Sequence, residues 1–122
     1  MPDLNYTING QVSKGAFSQS FAASGVTADI ATAGVLAVTL NLGTSVTQIS
    51  TASLGAVGLA FARSLATATT HTVSFGRFSG GNIYETARLK AGEAAILRLA
   101  PGDYAARAAV EGTRLVLTVY ED

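Results

Sequence analysis

His71 is the one histidine of the 122-residue chain, and acid–base or metal chemistry would have to begin there. On paper Ser74, His71 and Asp103 supply a nucleophile, a base and an orienting carboxylate. No Gly-x-Ser-x-Gly elbow accompanies them, and that triad is rejected. A general base or a metal site would also need carboxylates or further ligands beside the imidazole. The acidic residues are sparse and sit mostly at turns, as Glu93, Asp103 and Glu111 do. The stretch Gly76-Arg77-Phe78-Ser79-Gly80-Gly81 has the glycines of a phosphate cradle but lacks the Gly-Lys-Ser/Thr and the following helix that such a cradle requires. A hairpin loop is the expected structure there. The residues therefore give no catalytic set, no metal site and no cofactor site, and an enzyme is not expected.

The charged residues read better as contacts. Glu85, Arg88, Glu93 and Arg98 fall on adjoining expected strands and are placed to pair across them, each pair contributing roughly 0.2–1 kcal/mol. Arginine is enriched at protein interfaces. Arg63, Arg77, Arg88 and Arg98, with Glu93, are accordingly the candidate residues for a subunit or partner interface. Tyr6, Tyr84, Tyr104 and Tyr120, with Phe78, would suit a sugar-stacking platform, but core packing and hydroxyl anchoring at strand ends are the expected uses.

The elements that must position these residues are strands. Leu4, Tyr6 and Ile8 alternate with Asn5, Thr7 and Asn9, the period-two pattern of a half-buried strand. The chain breaks at Lys14-Gly15, and Phe17 and Phe21 then share one face of a second strand. Residues 26–33 are expected to be a loop or a single turn. Between Gly34 and Gly43, Leu36, Val38, Leu40 and Leu42 share a face, and a short strand is expected around Val46–Ser50. Val57, Leu59 and Phe61 occupy one side of the next strand, with the small Gly58, Ala60 and Ala62 opposite. His71, Val73, Phe75 and Arg77 alternate with Thr72, Ser74, Gly76 and Phe78, and Ser79-Gly80-Gly81-Asn82 is the strongest turn in the chain.

Beyond that turn, Ile83, Glu85, Ala87 and Leu89 are expected on one face, opposite Tyr84, Thr86 and Arg88. The strand from Glu93 to Leu99 is expected to return as a hairpin after Lys90-Ala91-Gly92. Tyr104–Val110 and Thr113–Tyr120 are expected to flank Glu111-Gly112 in the same way, with Leu115, Leu117 and Val119 on the core face. The whole describes an all-β, jelly-roll-like antiparallel β-sandwich of about 8–10 short strands.

Composition fits this picture. One sandwich domain over residues 1–122 is expected, with residues 1–33 serving as an arm or edge-strand segment. A chain of this size buries roughly two-thirds of its unfolded surface. It has no cysteine, and its eight basic and eight acidic residues cancel. Those charges are scattered singly, where a nucleic-acid binder would show a basic face. Charged residues make up 13% of the chain, against about 25% in an ordinary globular protein. Much of the remainder is Ala, Thr and Ser, so part of the exterior is expected to be covered by another subunit or a partner. No apolar run approaches the roughly 20 residues that span a bilayer. Met1-Pro2-Asp3-Leu4-Asn5 carries no positive segment of a secretion signal, so synthesis and assembly in the cytoplasm are expected.

A family resemblance gathers these features. The segments Leu54–Arg63, His71–Gly76, Leu89–Leu99 and Leu115–Asp122 resemble small jelly-roll head decoration (cement) proteins of tailed bacteriophages, over a little more than half the chain. Where such proteins follow Ala-Phe-x-Arg with Asn-Leu-Asp, this chain has Ser64, Leu65 and Ala66. The resemblance implies a homotrimer on the outer capsid surface of a virion that clamps the major capsid protein and needs no cofactor. The alternative is a tail, baseplate or fibre-associated jelly roll with a structural or glycan-receptor role.

Overall fold

The computed structural model describes residues 4–28, 30, 34–52 and 54–121. The chain divides into two compact units, Met1–Ala31 and Thr32–Asp122.

The first unit is a β-ribbon. Strand β1 (Leu4–Lys14) pairs antiparallel with β2 (Phe17–Ala28). Lys14 lies opposite Phe17, which leaves Gly15-Ala16 as a two-residue turn. Gly15 has φ +59° while Ala16 stays at negative φ, the arrangement in which glycine leads a tight turn of the twist that hairpins prefer. The expected alternation of Leu4, Tyr6 and Ile8 is present. Val26, expected to open a loop, instead continues β2 as far as Ala28. Pairing with Leu4, Asn5 and Tyr6 satisfies those backbone groups, and short-range propensity could not register it. The rest of that expected loop, residues 29 and 31–33, lies outside the described residues.

The second unit is the sandwich. Its strands are β3 (Val35–Leu42), β4 (Thr47–Ile49), β5 (Val57–Ser64), β6 (Val73–Ser79), β7 (Asn82–Leu89), β8 (Ala94–Arg98), β9 (Tyr104–Ala108) and β10 (Thr113–Glu121). They form two antiparallel four-stranded sheets, ordered β3-β10-β5-β8 and β4-β9-β6-β7. Successive strands mostly cross from one sheet to the other, which is the jelly-roll order. Among the described residues there is no helix.

Both sheets send alternate residues inward. From the first come Leu42, Ala60, Ala62, Leu115, Leu117 and Val119; from the second, Ile49, Val73, Phe75, Leu89, Tyr104, Ala106 and Ala108. Leu36, Val38 and Leu40 pack against this cluster from the edge strand β3, as their shared face requires. The small Ala60, Ala62, Ala106 and Ala108 let the layers approach, so the alanine content serves the core as well as the surface.

The sheet order overturns two expected hairpins. Lys90-Ala91-Gly92 does turn the chain, with Glu93 N–H donating to Lys90 O at 3.1 Å. It delivers β8 to β5 in the opposite sheet, however, rather than back onto β7. Likewise Glu111-Gly112 passes the chain from β9 to β10 in different sheets. The local hairpin of the sandwich is β6–β7, through Gly80 and Gly81, with Ser79 opposite Asn82.

A further correction lies inside β7. The ladder runs Phe75–Ala87 and then Gly76–Glu85, so Thr86 is the extra residue of a β-bulge. The bulge inverts the alternation. Ala87 and Leu89 share a face with Phe75 and Val73, whereas Glu85 falls on the outer face with Ser74, contrary to the single face expected for Ile83, Glu85, Ala87 and Leu89. Gly76 makes this possible, because a Cβ there would stand 2.0 Å from the backbone oxygen of Tyr84.

Candidate functional site

The five candidate interface residues are distributed over the sandwich. Arg63 is exposed on β5, at the outer face of the β3-β10-β5-β8 sheet, in a depression with Phe61, Ala94, Ile96, Val116 and Thr118. Arg77 and Arg98 both line a cavity of about 270 Å³ with Phe75, Thr86, Leu97, Leu99 and Tyr104. Arg88 contacts both carboxylate oxygens of Glu85, at 2.9 and 3.2 Å. Glu93 turns its carboxylate to the Lys90 N–H at 2.6 Å, closing its own turn. Glu85 and Arg88 do not lie on a strand adjoining that of Glu93 and Arg98, contrary to expectation. β7 and β8 belong to different sheets, and the Glu85–Arg88 ion pair is local to β7.

The Arg77 corner is built as a stack. The Tyr104 ring lies 5.6 Å from that of Phe75 with planes 8° apart, and the Arg77 guanidinium carbon stands 5.7 Å from the Tyr104 centroid. The Tyr104 hydroxyl donates to Ala100 O, which anchors the strand end. Tyr104 is 5% exposed, so its aromatic faces serve packing. Tyr120 meets Phe61 edge-on in the other sheet, and Tyr84 is 60% exposed. With Tyr104 buried and Tyr120 in the opposite sheet, the sandwich tyrosines do not make one stacking platform.

A second cluster lies on the outer face of the other sheet. Arg107 and Arg88 flank Ser74 across β9, β6 and β7, and Thr44 and Thr72 complete the lining of a shallow polar depression. Glu85 belongs to this group. A hydrogen bond from the Ser74 hydroxyl, then one from Arg88, hold its carboxyl below the ordinary range against the opposing effect of burial. Arg107 was missed from the sequence, because only the register shows that it shares a row with Ser74 and Arg88.

None of these groups makes an acid–base pair suited to catalysis. Ser74 is buried and committed to Glu85, and His71 is half-buried with its backbone N–H on Ala68 O at 3.0 Å. Among the described residues no three metal-ligating side chains gather. No helix of the described residues is long and apolar enough to cross a membrane.

The ribbon adds an exposed apolar feature, joining the alternation expected in β1 to the face shared by Phe17 and Phe21. The register places Leu4, Tyr6, Ile8, Gly10, Val12 and Lys14 of β1 with Phe17, Gln19, Phe21, Ala23, Val26 and Ala28 of β2 on one face of the ribbon, apolar but for Gln19 and Lys14 toward the tip. Asn5, Thr7, Asn9, Gln11, Ser13, Ser18, Ser20, Ala22 and Thr27 take the other. Val12, Phe17 and Phe21 are 56%, 56% and 64% exposed. The signal was available in the alternation of β1, but the β2 half is scrambled by a bulge at Ser24-Gly25.

Comparison of the chain with protein-family models, curated proteins and solved structures finds no match.

Proposed function

We propose that this chain is a structural virion protein of a tailed bacteriophage, a capsid decoration protein that seats on the major capsid lattice as a homotrimer and stabilises the head. The observation that carries this reading is the jelly-roll strand order of the sandwich. Double-sheet jelly rolls serve viral capsids, lectins and cupins. A cupin-type use needs clustered metal ligands, and none gather among the described residues. A fold alone does not name a function. The low charge, the apolar depression at Phe61, Ile96 and Val116, and the exposed apolar face of the ribbon add surfaces suited to protein partners.

The role suits the physics. A head-stabilising protein gains from many modest contacts repeated by symmetry, and a closed threefold assembly presents the same face of each copy to the lattice. Native mass measurement followed by co-sedimentation with undecorated capsids tests it. The expected results are a trimer mass and saturable binding; a monomer that never adsorbs overturns it.

A second reading, a tail or fibre jelly roll that binds a receptor glycan, draws on the hydroxyl- and arginine-lined depression at Thr44, Thr72, Ser74, Arg88 and Arg107. Glycan-array binding with no capsid adsorption would select it.

A further inference from the structure

The β1–β2 ribbon poses a problem in stability. A two-stranded hairpin alone is marginal in water, yet this one extends over β1 (Leu4–Lys14) and β2 (Phe17–Ala28). Its amphipathicity is maintained against the chain's own arithmetic. Ala23 and Val26 are three apart and would face opposite ways in a regular strand. The bulge at Ser24-Gly25, with Gly25 at φ +65°, sets two residues of β2 against Thr7 and restores both to the apolar face. That device has a consequence only if the apolar face is covered. Lys14, the one charged residue in the range 4–28, shares this face opposite Phe17 but stands at the tip, where its ammonium reaches water.

We propose that the apolar face of the ribbon docks on a second copy of this chain, against the outer face of its β3-β10-β5-β8 sheet. Two rows cross that sheet: Ala37, Thr118, Phe61 and Ile96, then Thr39, Val116, Arg63 and Ala94. They carry no carboxylate and enclose the depression around Phe61, Ile96 and Val116. Four strands at about 4.8 Å spacing leave room for two more strands laid over them.

Area decides between two ways for copies to meet. A two-stranded face eleven residues long projects about 350 Å², at roughly 3.4 Å per residue and 4.8 Å per strand. Ribbon packed on ribbon in a pair would therefore bury about 700 Å² in all, below the roughly 1,200–2,000 Å² of a stable interface. Exchange makes every copy both giver and receiver. Each copy then buries about 700 Å² rather than about 350 Å²: a closed pair shares about 1,400 Å² in one interface, and a closed ring of three about 700 Å² in each of its three. The inference takes the homo-oligomer of the preceding reading and names its contact.

The absence of cysteine makes the contact directly testable. Two differently tagged chains, one carrying Val12→Cys and the other Ile96→Cys, are refolded together and treated with a short bis-maleimide. The expected product is a cross-linked species bearing both tags, lost when Phe17→Ser and Phe21→Ser are added to the Val12→Cys chain. In native mass measurement the Phe17→Ser/Phe21→Ser protein is expected to fall to monomer. An unmodified chain that is monomeric at micromolar concentration overturns the proposal. So does a chain carrying both cysteines that closes only on itself. An oligomer that survives the double serine change overturns the arm contact while leaving the capsid role intact. Because no capsid is present, failure to adsorb to one does not bear on this result.

Discussion

Tyr104 lies stacked on Phe75, with ring centroids 5.6 Å apart and planes 8° from parallel. Strands β9 and β6 place them diagonally across the ladder, since Phe75 opposes Ala106 and Tyr104 opposes Arg77. The pair closes one end of the sandwich core, and the Tyr104 hydroxyl donates to Ala100 O beyond it. Two substitutions separate these roles. Tyr104→Phe keeps the stack and loses one hydrogen bond, an expected cost of about 1 kcal/mol. Tyr104→Ala removes the ring from a buried site and is expected to cost about 3–5 kcal/mol. Equilibrium denaturation in urea reads both, and similar losses for the two would contradict the assignment.

Gly76 is expected to be the least replaceable residue of the β6–β7 hairpin. A methyl group there would stand 2.0 Å from the Tyr84 carbonyl oxygen and 2.9 Å from the Thr86 nitrogen, both backbone atoms that cannot rotate away. Gly76→Ala must open the bulge at Thr86, at a cost of about 3 kcal/mol or more. Gly80→Ala meets no neighbour within 4 Å and bears only the penalty of its φ of +60°, about 1–2 kcal/mol. The ratio of the two unfolding free energies checks the argument.

These two cases also show what the sequence could reveal. The strands at Leu36–Leu42, Val57–Phe61 and Leu115–Val119 were legible because one apolar residue in two is a local signal. So was the Gly80-Gly81 turn, whose residue types are dictated by positive φ. Partnership was not legible. Lys90-Ala91-Gly92 and Glu111-Gly112 have the composition of hairpin turns, yet each carries the chain between sheets, because burial of both inner faces outweighs adjacency in sequence. The Thr86 bulge hides for a related reason: an extra residue shows only in register. The Arg107–Ser74–Arg88 row and the Phe75–Tyr104–Arg77 stack depend on those registers, so the site could not be assembled from spacing alone.

Gly15 offers a test of the ribbon as its own unit. It leads a two-residue turn at φ +59°, a position that penalises any side chain by about 1–2 kcal/mol. Gly15→Ala is expected to speed amide exchange across residues 4–28 while exchange in β5, β6 and β10 stays as it was. A uniform rise in both units would show that they unfold together.

Glu85 sets a pH dependence whose sign can be worked out. The Ser74 hydroxyl and then Arg88 stabilise its charged form, so its folded pKa lies below that in the unfolded chain. The unfolded chain therefore takes up the proton first as pH falls. The contribution to stability is fully present above the ordinary glutamate value of about 4.3 and is lost as pH drops through the folded pKa. Because Arg88 is well exposed, salt screens its share, and the Ser74 hydrogen bond is the part that should persist at high ionic strength. Glu85→Gln is expected to flatten the fall of melting temperature below about pH 4.3 relative to the unmodified protein. Ser74→Ala should raise the Glu85 carboxyl pKa, read directly by carbon-detected NMR titration, more than Arg88→Ala does in 0.5 M salt. The reverse order would place the effect on the ion pair instead.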